Sequence, residues 1–99
     1  MATQELWGPY WFSDGVRPGY YTQYVWGPDA RFDDAAFSVT GNPLAQQVGV
    51  EVAMAATEVT LSNTLATFDT THRRLYATFK NVGADSIGWF KVFITRVSR

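Results

Sequence analysis

Three separate stretches of this chain alternate with a period of two. Val48, Val50, Val52 and Met54 alternate with Gly49, Glu51 and Ala53. Leu75, Ala77 and Phe79 alternate with Tyr76, Thr78 and Lys80, and Tyr20, Thr22, Tyr24 and Trp26 alternate with Tyr21, Gln23 and Val25. Successive side chains of a strand point to opposite faces, so such alternation, rich in valine, threonine and aromatics, predicts strands. Only residues 46–57 have a competing helical reading, from their alanines and glutamates, and their alternating valines favour strand. The phase then slips. Val59 and Leu61 fall on the opposite parity to Val48, Val50, Val52 and Met54, and a bulge or break near Ala55 and Ala56 reconciles them.

Turn residues punctuate these runs. Ser13, Asp14 and Gly15, then Pro18 and Gly19, suit a turn between runs 6–12 and 20–26. Pro9 lies inside the first run and has no N–H for a ladder, so that strand is an edge, bulged, or broken in two. Asp33 and Asp34 precede a short strand over 35–40, which Gly41, Asn42 and Pro43 end. Trp-Gly-Pro occurs twice, at Trp7-Gly8-Pro9 and Trp26-Gly27-Pro28, as a strand terminator and a faint internal repeat. Near the C-terminus, Asn81 and Ser86 are placed to close a hairpin loop. That register pairs Ala77 with Phe90 and Leu75 with Val92 on one face, and Thr78 with Trp89, Tyr76 with Lys91 and Arg74 with Phe93 on the other. Trp89, Phe93 and Val97 then point away from the main core, toward a cover or a contact surface.

The fold expected is all-β: an antiparallel β-sandwich, immunoglobulin-like or jelly-roll-like, of six to eight short strands in a single domain over residues 1–99. At 46% hydrophobic and 17% charged residues, the chain does not have the composition of a disordered protein. No apolar run approaches the ~20 residues of a membrane-spanning helix, so no span is expected. Cysteine is absent, which removes disulfides, thiolate metal sites and cysteine nucleophiles and leaves the compartment open. Residues 1–5 have neither a basic nor an apolar segment, so a signal peptide is not expected.

Charge is unevenly spread. The net charge is −1, yet residues 1–70 hold two of the eight basic residues and eight of the nine acids. Oppositely charged strands lying side by side explain the split; a dipolar molecule associating head to tail is the other reading. Arg73, Arg74, Lys80, Lys91, Arg96 and Arg99 with Tyr76, Trp89 and Phe93 resemble a single-strand nucleic-acid surface. The overall acidity weighs against that partner.

Ten of the sixteen aromatics lie in residues 1–37. Flat rings present apolar faces to the C–H side of a sugar, while tyrosine and tryptophan tips supply hydrogen bonds. If the first two runs form one hairpin, Trp11, Tyr21, Gln23, Tyr24 and Trp26 are the candidate ligand-binding residues, although alternation lets at most half of such rings share a face. The functional expectation is a non-catalytic, lectin-like carbohydrate-binding module whose partner is a glycan or polysaccharide. The alternative is a structural, self-assembling homo-oligomer with Trp89, Phe93 and the N-terminal aromatics as subunit contacts. Asp29, Asp33 and Asp34 lack a calcium-loop pattern and read as turn formers. His72, the only histidine, reads as a solvated loop residue and is too little for zinc. No nucleophile elbow and no phosphate-binding glycine loop occurs, so neither catalysis nor a cofactor or metal is expected.

Overall fold

The computed structural model describes residues 3–13, 15–44, 49–62 and 72–98. Among them six strands form: β1 (Thr3–Phe12), β2 (Tyr21–Trp26), β3 (Ala35–Leu44), β4 (Met54–Ser62), β5 (Arg74–Asn81) and β6 (Trp89–Ser98). A single 3-10 turn, Ala30–Phe32, lies between β2 and β3. Two three-stranded sheets result, ordered β1-β6-β3 and β2-β5-β4, and every neighbouring pair is antiparallel. The expected antiparallel sandwich is what forms. Its shortest dimension is 18 Å, matching two sheets about 10 Å apart with side chains outside them.

The core lies between β5 and β6. Leu75, Ala77 and Phe79 from one and Phe90, Val92 and Ile94 from the other are all fully buried. The expected inner face is therefore correct residue by residue, but the expected hairpin is not formed. β5 bonds to β2 and β4, and β6 bonds to β1 and β3. Both ladder sides of each strand are thus occupied, so the two meet face to face across the core. Likewise β1 and β2 are not a hairpin; they belong to different sheets, with Phe12 stacked on Tyr24 at 3.9 Å between ring centres.

Local punctuation is largely as expected. β1 is an edge strand, and its register shifts between Trp7 and Tyr10, so Pro9 lies in a bulge on an edge. β4 is bulged between Ala56 and Glu58. The extra residue brings Val59 and Leu61 opposite Ala77 and Leu75, restoring the core-facing parity. The two Trp-Gly-Pro copies share one backbone geometry: both Gly-Pro bonds are cis, and Gly8 and Gly27 have φ of 111° and 95°. A side chain at Gly27 would also collide with the Phe32 ring, and one at Gly8 with the Val92 carbonyl. The first copy bulges a strand and the second ends one.

Two boundaries differ from expectation. β3 continues through Gly41, Asn42 and Pro43 to Leu44. It is an edge strand, where proline is tolerated, and Gly41 makes room for Met54. The strand expected over 46–57 begins only at Met54; Val48 and residues 45–47 lie outside the described residues, as does Asp14. Residues 51–53 bond instead to the β5–β6 connection. Glu51 donates its amide to the Asp85 carboxylate at 2.8 Å, and the Asp85 and Val82 amides donate to the carbonyls of Glu51 and Ala53.

Asn81 organises that connection. It is 1% exposed. Its Nδ2 donates to the carbonyls of Val16 and Asp85 at 2.8 and 2.9 Å, and its Oδ1 accepts the Gly83 amide at 2.9 Å. Beside it Val16 and Ile87 exchange two backbone bonds, each 2.9 Å. Removing the Asn81 amide strands three partners, two of them carbonyls beside the core. Asn81→Ala is therefore expected to lower the unfolding free energy by about 3 kcal/mol in urea titration, and Asn81→Asp by at least as much, because a carboxylate has no N–H to offer. Losses below about 1 kcal/mol in both variants would remove Asn81 from this role.

Candidate ligand-binding surface

The five residues expected to bind ligand occupy three different environments. Tyr24 and Trp26 face inward. Tyr24 stacks on Phe12 and lies 5.9 Å from Phe90, and Trp26 lies 5.8 Å from Tyr10. They wall the core on the β1–β2 side. Tyr21 and Gln23 have the opposite parity and lie on the outer face of the β2-β5-β4 sheet. Tyr21 is 59% exposed beside Lys80, and Gln23 donates to the Thr78 hydroxyl at 3.3 Å. Trp11 is 56% exposed on the outer face of the other sheet. Since β1 and β2 are not a hairpin, these residues are not brought to one surface.

Trp11 instead meets residues from the far end of the chain. On the outer face of β1-β6-β3 it stands opposite Lys91, which stands opposite Asn42. The neighbouring rows pair Phe93 with Thr40 and Trp89 with Leu44. The Lys91 ammonium lies 5.8 Å from the Trp11 ring centre and 5.6 Å from that of Phe93, so both rings share its face. Trp89 is 47% exposed, and Leu6 and Val97 extend the apolar surface. The parity of β6 already marks Trp89 and Phe93 as outward. Their junction with Trp11 follows only from the β1–β6 pairing, which no local pattern encodes.

The charge split has a structural counterpart. The basic C-terminal segment supplies both central strands, and segments from the acidic part flank them. Glu5 on β1 pairs with Arg96 on β6 at 2.9 Å, and Arg96 also donates to the Arg31 carbonyl at 2.7 Å. Arg31 lies 4.6 Å over the Trp7 ring, covering a cluster of Trp7, Phe32 and Phe37 at this end of the sandwich.

The aspartates near the 3-10 turn act as turn formers and clasps. Asp29 caps the turn by accepting the Arg31 amide at 2.8 Å and holds the Arg31 guanidinium with both oxygens. Asp34 takes a left-handed φ of 53°, which aspartate tolerates. His72 is not simply solvated. Its Nδ1 lies 2.9 Å from Asp33, tying the start of β5 to the β2–β3 connection. Among the described residues no three His, Cys, Asp or Glu side chains gather as metal ligands.

The Arg31 side-chain hydrogen bonds, then its amide, lower the Asp29 pKa to about 2. The His72 hydrogen bond, then the Arg73 amide, lowers that of Asp33. Both carboxylates are ionised more readily folded than unfolded. Their stabilisation is present above the unfolded carboxylate value, near ~4, and is lost as pH falls through the folded values. The thermal midpoint should drop between about pH 5 and pH 2, and the drop should be smaller in Asp29→Asn and Asp33→Asn. Parallel profiles in all three proteins would refute the clasp. Compared with protein-family models, with curated proteins and with solved structures, the chain finds no match, so the chemistry of its surfaces rests on their own geometry.

Proposed function

We propose that the outer face of the β1-β6-β3 sheet binds carbohydrate, without catalysis, as a lectin-like platform. One observation carries the reading: Trp11, Trp89 and Phe93 share an open sheet face with the polar side chains of Thr40, Asn42 and Lys91. A saccharide ring presents C–H groups to an aromatic face and hydroxyls around its rim, and this face offers both kinds of partner. A second copy is a poorer occupant. Two-fold packing centred on this face would bring one Lys91 against the other, and burying two like charges is costly.

The test is a glycan array probed with the labelled intact chain. Binding to a set of related glycans is expected. Trp11→Ala and Trp89→Ala should each weaken it by roughly tenfold or more, as loss of a contact worth at least about 1.4 kcal/mol would. Tyr21→Ala, on the opposite sheet, should leave binding unchanged. The reverse pattern would move the site to the β2-β5-β4 face. A blank array with folded protein, together with an oligomer that Trp89→Ala dissociates, would return the aromatic face to subunit contact.

A further inference from the structure

We propose, resting on the platform reading above, that the saccharide is anionic, carrying a carboxylate or sulfate that pairs with Lys91. Among the described strand residues Lys91 is the single charged side chain on this outer face: β1 contributes Gln4, Leu6 and Trp11, β6 contributes Trp89, Phe93, Thr95 and Val97 around it, and β3 contributes Ala36, Ser38, Thr40, Asn42 and Leu44. No described carboxylate forms an ion pair with it. The opposite sheet differs, with Lys80, Arg74 and Glu58 on its outer face.

The position of the charge matters as much as its sign. Lys91 occupies the central strand, in a row between Trp11 and Asn42, and its ammonium sits between 5 and 6 Å from two ring centres at 5.8 and 5.6 Å. A ligand stacked on Trp11 must cover the ammonium and strip part of its water. A neutral sugar offsets that desolvation only with hydroxyl hydrogen bonds, whereas an anionic group offsets it with a charge-assisted one. The flanking rings also restrict the lysine before the ligand arrives, which lowers the entropy lost on pairing.

Matched glycan pairs separate this inference from the reading beneath it. The probes are galacturonan oligomers and their methyl esters, sialylated lactosamine and its asialo form, and a sulfated galactan oligomer with its unsulfated twin. Polyglutamate serves as a charged polymer without sugar. The intact chain should bind the anionic member of at least one pair roughly fivefold tighter than its neutral twin, a preference that shrinks with added salt. K91Q, checked for an unchanged unfolding midpoint, should equalise the pair by weakening the anionic member more than the neutral one, and K91R should keep the preference. Equal affinity within every bound pair, equal weakening of both members by K91Q, or polyglutamate binding as tightly as the anionic glycans would overturn the inference and leave the platform standing. Failure of every probe to bind folded protein overturns the inference, and a blank full array beside it overturns the platform as well.

Discussion

Leu75, Ala77 and Phe79 on β5 lie against Phe90, Val92 and Ile94 on β6, and none of the six is exposed to solvent. Each of these strands is the middle of its own sheet. Every edge strand therefore has its ladder partner within the same 25-residue C-terminal segment, Arg74–Ser98 in its strands. The consequence is a chain that must alternate between sheets. β1, β2, β3 and β4 belong to the first, second, first and second sheet in turn, and they find their partners only once β5 and β6 are in place. Such non-local pairing makes the core depend on contacts between distant parts of the chain, a topology that folds slowly.

Both ends of the sandwich carry polar groups that bond turning backbone, at one end over an aromatic cluster. At one end Asn81 bonds three backbone groups from both flanking connections. At the other, Arg96 joins the Glu5 carboxylate to the Arg31 carbonyl, and Arg31 covers Trp7. Backbone that turns beside a buried core carries N–H and C=O groups that a ladder no longer satisfies. Asn81, with two donors and an acceptor on one rigid amide, satisfies such groups in a confined space.

The faces of the strands were legible in the sequence, and their partners were not. The alternation in 75–79 and 90–94 identified the core side chains, because a period of two has only two outcomes. The phase slip before Val59 located a real bulge, and Pro9 located another. The pairing of β5 with β6 failed for an informative reason. Two central strands with apolar inner faces present the same pattern whether they lie side by side or face to face. The face-to-face arrangement is accompanied by Val16 against Ile87 and Glu51 against Asp85, contacts that join distant segments. The expected aromatic residues are divided among surfaces for a similar reason. Tyr24 and Trp26 share a parity, as do Tyr21 and Gln23, but nothing local says which parity faces in.

The two central strands offer a comparison within one molecule. β5 follows the rule for a half-buried antiparallel strand: Leu75, Ala77 and Phe79 inward, and Arg74, Tyr76, Thr78 and Lys80 outward. β6 obeys it inside, with Phe90, Val92 and Ile94, and departs from it outside, with Trp89, Phe93 and Val97 around one lysine. A central antiparallel strand in this fold therefore does not require an aromatic outer face. Trp89 at 47% exposure and Trp11 at 56% both face outward and contribute little to the core. An apolar surface of this kind on an open sheet invites association, which a polar residue in each place would avoid. Lys91, the single charge among the described strand residues of this face, opposes closure of the face on a copy of itself and would leave the rings free for the proposed hydroxyl-rimmed partner. The departure of β6 from the pattern of β5 is thus a cost to solubility that the fold does not explain and that the proposed recognition of a ligand would.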